Sequence, residues 1–227
     1  MKKYSYLFVS GAFLLAFIIF TIIFKTVDVQ YIYGNRYLGL YMLNYNFGNW
    51  ATQFGKYESM TKLSDILLYI SFGYVGVIAI LGIIHLIKVK SFAKVNKGFY
   101  LLLGAYVLVV IIYVVFEIAK LNYAPDITDG LKASYPSTHV FVGCTFFLIN
   151  TFASIKMLNP EKKWVVTVAY VGALLLCVLL TYTRAMSLKH WMSDIIASVL
   201  LIGIIYFLFV FVYNRLILGK EVIEKVD

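Results

Sequence analysis

Two polar stretches organise this chain: YPSTH at residues 135–139 and TRAMSLKHWMSD at residues 183–194. Each lies at the edge of an apolar run, and together they contain His139 and His190, two of the three histidines. Charged groups and imidazoles beside a bilayer are unfavourable unless they are paired or line a wet cavity, so such clusters are candidate functional sites.

The composition indicates an integral membrane protein. Hydrophobic residues make up 62% of the chain, charged residues 14%, and the mean hydropathy is +0.87, whereas soluble domains have about 45–50% apolar and about 25% charged residues. The net charge of +9 therefore indicates topology signals and contacts with anionic lipid before nucleic acid. No Arg-rich helix or basic, aromatic surface is present in the sequence, so we predict no nucleic-acid partner.

Six apolar runs predict an all-α fold, a single six-span membrane domain covering residues 1–227. The runs are Tyr6–Phe24, Leu63–Ile87, Phe99–Ala119, His139–Ile155, Val165–Tyr182 and Ile195–Tyr213, and each approaches the ~20 residues that cross a bilayer. The connection at about 25–62 is rich in Tyr and Trp. Such residues prefer the headgroup layer, so part of it is expected on the membrane surface.

The distribution of basic residues predicts the orientation. Lysines crowd two short connections, at residues 88–97 and 156–163, and the positive-inside rule assigns both to the cytoplasm. We therefore expect a multi-pass protein of the cell membrane, with both termini cytoplasmic and both polar stretches on the extracytoplasmic side.

The polar stretches contain the residue types for phosphoryl transfer. If the sixth span begins near His190, Asp194 lies one helical turn further on the same face, where its carboxylate can accept the Nδ1 proton and leave Nε2 as nucleophile or base. In the first stretch, Ser137 and Thr138 open a helix whose free amides suit a phosphate, close to His139. Arg184 adds a planar fork for phosphate oxygens. These parts suit metal-free transfer through a phosphohistidine.

Plainer interpretations exist for each of these residues. A single histidine at a membrane edge is often an interfacial side chain, and His85, beside a lysine cluster, is interpreted so. The Arg184, His190 and Asp194 set could be a structural network that ties two helices together. Neither His-x3-His nor paired cysteines occur, so no zinc, other metal or cofactor is predicted. Cys144 and Cys177 lie in apolar runs and are interpreted as buried hydrophobes.

Two motifs carry a family resemblance. The pattern Thr-Arg-x5-His-x3-Asp at residues 183–194, preceded by Pro-Ser-Thr-His at residues 136–139, resembles the third and second signature motifs of the type 2 phosphatidic acid phosphatase superfamily. The usual forms are Ser-Arg-x5-His-x3-Asp and Pro-Ser-Gly-His. The order of the motifs and the six-span layout also match, and the resemblance covers about residues 60–213.

The resemblance implies a lipid phosphate phosphatase on a six-helix bundle. His190 would take the phosphoryl group and Asp194 would orient it. His139 would protonate the leaving oxygen and later help to activate water. Arg184, Ser137 and the amides near Thr138 would hold the phosphate.

The first family motif, Lys-x6-Arg-Pro, is where the chain departs. Aligning its proline with Pro125 places Glu117 at the lysine position and Ala124 at the arginine position. Lys120 or Lys132 could supply a replacement cation. We favour Lys132, five residues before Ser137, although it could equally be an ordinary solvated lysine. Thr138 stands where the family usually has glycine, and its side chain leaves less room for a ligand at the start of the helix.

We therefore expect a phosphatase that acts on a phospholipid or isoprenoid lipid phosphate, such as phosphatidate or undecaprenyl diphosphate. The alternatives are a catalytically impaired relative that binds anionic lipid or a partner, and a transferase that passes the phosphoryl group to a lipid alcohol. A transporter or channel is disfavoured, because the spans hold almost no charge away from their edges apart from Asp65 and Glu117. The oligomeric state stays open.

Overall fold

The computed structural model describes residues 4–33, 36–55, 57–125 and 132–218. Within these ranges the regular elements are α1 Ser5–Thr26, β1 Gln30–Tyr33, β2 Arg36–Leu38, α2 Tyr41–Thr52, α3 Tyr57–Val89, α4 Lys97–Ala119, α5 Thr138–Leu158, α6 Lys163–Met186 and α7 Met192–Tyr213. A 3-10 turn, Phe92–Lys94, precedes α4, and a π turn, Asn214–Leu218, follows α7.

Six of these helices, all except α2, are long and apolar enough to cross a membrane. The predicted all-α, six-span architecture is confirmed. The helices extend beyond the predicted apolar runs: α3 begins at Tyr57 rather than Leu63, and α6 continues to Met186 rather than ending at Tyr182. Helical hydrogen bonding continues past the apolar segment, so Arg184 lies in the last turn of α6 and not in a loop.

Helix α5 is the centre of the bundle. It packs against α3, α4, α6 and α7, and 72% of its apolar segment is buried, against 11–17% for α1, α3, α4 and α6. Gly143 lets α6 approach closely, because a Cβ there would lie 2.5 Å from Leu180 Cδ2. Since Ser137 immediately precedes α5, the first polar stretch is attached to the most buried helix of the protein.

The connection between α1 and α3 folds as a small hairpin followed by α2, a hairpin that the sequence did not reveal. Strands β1 and β2 pair antiparallel, with Gln30 opposite Leu38. Asp28 fixes the start of α2 by accepting a hydrogen bond from the Met42 amide at 2.6 Å. The placement of this connection on the membrane surface stays a prediction.

Asn44 joins α2 to the start of α7. Its side-chain oxygen accepts from the Ser193 amide at 3.0 Å, and its amide nitrogen donates to Ser193 Oγ at 3.1 Å and to the Gly39 carbonyl at 2.9 Å. Asn44 is 1% exposed, so these bonds are shielded from water. These bonds hold α2 against the start of α7, where the second polar stretch ends.

Gly39 is required where the hairpin meets α1. A Cβ at this position would lie 1.5 Å from the Phe24 carbonyl oxygen, and a backbone atom cannot rotate away as a side chain can. We expect Gly39→Ala to reduce the free energy of unfolding by at least about 1–3 kcal/mol, the usual effect of overpacking. The measurement is the thermal unfolding midpoint in detergent.

Gly48→Ala is the matched control, because a Cβ there meets nothing within 4 Å and alanine favours the helix. Its midpoint should be unchanged or slightly higher. Equal midpoints for Gly39→Ala and the wild type would contradict the close approach of the hairpin to α1.

Candidate active site

The segments on either side of residues 126–131 pair with each other as two short antiparallel arms. The Ala124 amide donates to the Lys132 carbonyl at 3.1 Å, and the Ser134 amide donates to the Asn122 carbonyl at 3.0 Å. This pairing brings the Ser134 carbonyl and the Asn122 side chain against the second polar stretch.

Tyr135 fastens these arms to α1. Its ring stacks on Phe24, with 5.0 Å between centroids, and its hydroxyl shares a hydrogen bond of 2.7 Å with Thr21 Oγ1. Burial raises the pKa of Tyr135 to about 12, so the phenol stays protonated at neutral pH. The loop that carries Ser134 is therefore held to a spanning helix by an uncharged contact.

His190 is held in one tautomer. Its Nδ1 lies 2.9 Å from the Ser134 carbonyl oxygen. A carbonyl can only accept a hydrogen bond, so Nδ1 carries the proton. The lone pair is therefore on Nε2, which accepts from Arg184 Nη2 at 3.3 Å. This is the form of histidine that acts as a nucleophile or base.

Asp194 has a different contact from the one predicted. Its Oδ2 accepts from the Trp191 amide at 3.0 Å, its Oδ1 accepts from Asn122 Nδ2 at 3.0 Å, and it is fully buried. His190 Nδ1 is 3.7 Å from Oδ2, beyond hydrogen-bond distance. The reason is that α7 begins at Met192, so His190 precedes the helix and Asp194 reaches back to the capping residue.

A second acidic residue, Asp65, meets the site from α3. Asp65 Oδ1 lies 2.9 Å from His139 Nε2 and 3.8 Å from Arg184 Nη1. Arg184 Nη1 also donates to Ser64 Oγ at 3.4 Å. Together with the contact to His190, these bonds join both predicted histidines through Arg184 and Asp65.

The start of α5 lies beside Asp194. The Ser137 amide donates to the Asp194 carbonyl at 3.2 Å, and Ser198 Oγ donates to the Ser137 carbonyl at 3.0 Å. Ser137 Oγ is buried and has no hydrogen-bond partner within the described part of the chain. The Ser137 amide is therefore already engaged, whereas its hydroxyl has no partner among the described residues. Thr138 is the first residue of α5 and is half-buried.

The residues at the first-motif positions contribute little to this cluster. Glu117, in the last turn of α4, is exposed. Ala124 is 6% exposed, and its described hydrogen bond is the one from its backbone amide to the Lys132 carbonyl. Lys120 and Lys132 are exposed, and the role of Lys132 in phosphate binding stays a prediction.

A cavity adjoins His190, and an apolar groove lies next to it. A cavity of about 250 Å³ is lined by His190, Asn44, Leu188, Phe47 and Met192, among others. Phe47 and Met192 also line a groove of about 530 Å³ between α5, α6 and α7. The walls of the groove are almost entirely apolar, whereas the cavity has polar groups at His190 and Asn44.

The whole structure is similar to that of one solved membrane enzyme. The crystal structure of a transmembrane PAP2-type phosphatidylglycerolphosphate phosphatase from Bacillus subtilis superposes with a TM-score of 0.71, over 92% of this chain and 98% of that chain. This chain has a PAP2-type fold. PAP2 denotes the type 2 phosphatidic acid phosphatases, so the resemblance noted in the sequence is confirmed at the level of the fold.

The PAP2-type fold is shared at only 15% sequence identity. No protein-family model matches the chain, and no curated protein matches it. The likeness therefore lies in the arrangement of the helices, not in the sequence as a whole.

The PAP2-type fold brings together residues that the sequence did not single out. The Ser134 carbonyl, Asn122 and Asp65 each bond to a predicted site residue. Asn44 bonds to Ser193, the neighbour of Asp194. Asp65 had a recognisable signal, since a carboxylate near the end of an apolar run needs a partner. A backbone carbonyl such as that of Ser134 leaves no mark on the sequence.

Asn122 provides a test of this arrangement. In Asn122→Ala the buried Asp194 carboxylate loses one of its two hydrogen bonds, so we expect the free energy of unfolding to fall by about 1.5–3 kcal/mol. The measurement is the thermal unfolding midpoint in detergent. Asn46→Ala, at an exposed position of α2, should leave the midpoint unchanged, and equal midpoints for both variants would contradict the contact.

Proposed function

We propose that the protein is a membrane lipid phosphatase that acts through a phosphohistidine at His190. The supporting observation is the hydrogen bond from His190 Nδ1 to the Ser134 carbonyl, which leaves the Nε2 lone pair beside the guanidinium of Arg184. A lone pair next to a fixed cation is suited to attack on an anionic phosphorus centre.

The first step forms a bond from His190 Nε2 to phosphorus and breaks the bond from phosphorus to the ester or anhydride oxygen. The departing oxygen takes a proton from His139, which enters this step as the imidazolium and becomes neutral. In the second step His139 removes a proton from water, the water oxygen attacks phosphorus, and the bond to Nε2 breaks. Inorganic phosphate leaves and both histidines return to their initial state, so protons and atoms balance.

Other site residues support these steps. Asp194 lies 3.7 Å from His190 Nδ1, so its charge stabilises the positive charge that the ring gains when Nε2 bonds to phosphorus. Arg184 and the Ser137 hydroxyl bind phosphate oxygens, helped by the amides at Thr138 and the first turn of α5. Lys132 is the candidate for an additional cation at the entrance.

The apolar groove supports a lipid as substrate. Phe47 and Met192 line both the groove and the cavity beside His190, so a lipid with its phosphate at His190 could place its tail between α6 and α7. A volume of about 530 Å³ is in the usual range of ligand sites, about 300–1,000 Å³.

The candidate substrates are phosphatidate, phosphatidylglycerophosphate and an isoprenoid diphosphate such as undecaprenyl diphosphate. The Bacillus subtilis enzyme is a phosphatidylglycerolphosphate phosphatase, which corresponds to the second of these. All three share a terminal phosphate and a long tail, so a common site geometry accommodates each class. The positive-inside distribution of lysines favours an active site on the extracytoplasmic side.

The three histidines of the chain provide a matched test of the mechanism. We expect His190→Ala to reduce phosphate release by at least about 10³-fold and His139→Ala by about 10²–10³-fold. The measurement is release of inorganic phosphate from the three lipids in detergent. His85→Ala should retain full activity. His85 lies on α3 and packs against Phe99 of α4, away from the polar stretches.

Release of phosphate at the wild-type rate by His190→Ala would rule out the phosphohistidine. Absence of release from all three lipids by the wild type would rule out the phosphatase function for these substrate classes.

Binding of the lipid tail in the groove can be tested separately from phosphoryl transfer. Val199, on α7, lines the groove and is exposed, so Val199→Phe should narrow it and raise KM for a long-chain lipid phosphate by about tenfold. A short water-soluble phosphate ester should be hydrolysed at an unchanged rate. Val110→Phe, exposed on α4, is the control, and equal effects of both variants would contradict the assignment of the tail site.

A second candidate function is binding of anionic lipid without turnover. It is favoured by Glu117 and Ala124, which stand where the family has two cations. It predicts that the protein binds inorganic phosphate or a lipid phosphate while releasing none, and that Ala124→Arg gains activity. A transferase is distinguished by its product, since supplying a lipid alcohol would yield a new phosphoester instead of free phosphate.

A further inference from the structure

The Asp65 carboxylate lies against two residues of the proposed phosphate site, His139 and Arg184. Its Oδ1 is 2.9 Å from His139 Nε2 and 3.8 Å from Arg184 Nη1. These are the donor atoms that an oxygen of a bound phosphate would need. A carboxylate and a phosphate both present anionic oxygens to such donors, and an imidazole N–H and a guanidinium N–H bind either.

We propose that Asp65 is a resident anion that holds His139 and Arg184 in the empty site and is displaced when a phosphate binds. The proposal rests on the proposed function, because it places the phosphate against Arg184 and beside His139, the proton donor of the first step. It goes further by naming a residue on α3 that competes with substrate and product and so sets the affinity of the site for phosphate.

The contacts around Asp65 permit this exchange. Its side chain is 39% exposed, whereas that of Arg184 is 10% exposed, so the carboxylate can turn towards solvent while the guanidinium cannot. Arg184 also donates to Ser64 Oγ at 3.4 Å and to His190 Nε2 at 3.3 Å. These two bonds keep Arg184 in place after Asp65 leaves.

Displacement is required by charge as well as by space. A phosphate bound against the Nη1 edge of Arg184 would lie within a few ångströms of a carboxylate that stayed, and like charges at that distance repel strongly outside bulk water. When inorganic phosphate is released, the carboxylate returns to the same donors. The exchange therefore weakens binding of the product as well as of the substrate.

Asp65→Asn tests the exchange, because it removes the charge and keeps the shape. We expect the inhibition constant of inorganic phosphate to fall about tenfold, together with KM for the lipid phosphate, since the competitor loses a charge-assisted hydrogen bond. Asp65→Glu keeps the carboxylate on a longer side chain and should keep the weak phosphate binding of the wild type. Glu58→Gln is the matched control, as Glu58 on the same helix pairs at the surface with Lys62 at 2.7 Å.

A decrease in kcat of about 10²-fold with unchanged phosphate affinity would overturn the proposal and make Asp65 the orienting partner of His139. Unchanged kcat, KM and inhibition constant would overturn it as well. If no lipid is hydrolysed, the rise in thermal midpoint on adding inorganic phosphate is measured for the same variants. A larger rise for Asp65→Asn than for wild type and Glu58→Gln would then support the exchange even though the proposed function had failed, and equal rises would overturn it.

Discussion

The hydrogen bond between His190 Nδ1 and the Ser134 carbonyl determines what the polar end of the bundle can do. It joins two stretches that are 56 residues apart in the chain, and it fixes the proton on one ring nitrogen. If Ser134 moved, the imidazole could turn and its two nitrogens could exchange roles. The stacking of Tyr135 on Phe24 and the pairing of Ser134 with Asn122 both restrict that movement.

Asp194 supports this bond indirectly. A fully buried carboxylate is tolerated only when it is hydrogen-bonded, and here both oxygens accept from the polypeptide, one from Trp191 and one from Asn122. The first bond fixes where α7 begins and therefore where His190 stands in front of it. The second bond fixes Asn122, whose carbonyl accepts from the Ser134 amide on the paired arm. One buried charge thus positions the imidazole and its acceptor together.

The fold was largely predictable from the sequence, and the site was predictable only in its local part. A spanning segment must satisfy its backbone internally and be apolar over ~20 residues, so six runs gave six helices with errors of a few residues at the ends. Arg184, His190 and Asp194 lie within eleven residues of one another, and the sequence grouped them. Their partners Asn122, Ser134 and Asp65 come from other segments, and only tertiary packing brings them near.

The hydrogen bonding of Asp194 differs from the expected one for the same reason. The spacing of four residues suggests a contact between side chains on one helix, but the helix begins two residues after His190. The carboxylate is then closer to the helix cap than to the imidazole, and the nearest acceptor for Nδ1 is a backbone atom of another loop. Capping geometry within one turn of a helix end is therefore decisive for the interpretation of a short polar motif.

The balance of charge in the empty site follows from the same contacts. Arg184 is 8% exposed, and a cation so shielded requires an anion nearby. Asp65 provides that anion on one side of the guanidinium, while His190 Nε2 accepts a bond on the other. Besides Asp65, the buried carboxylate of Asp194 lies 3.7 Å from His190 Nδ1, so fixed carboxylates outnumber the guanidinium of Arg184 in the described cluster. A further fixed cation would offset one of these carboxylates and attract phosphate more strongly. In the proposed exchange a phosphate takes the place of the Asp65 carboxylate, so Arg184 exchanges one anion for another and does not face two at once.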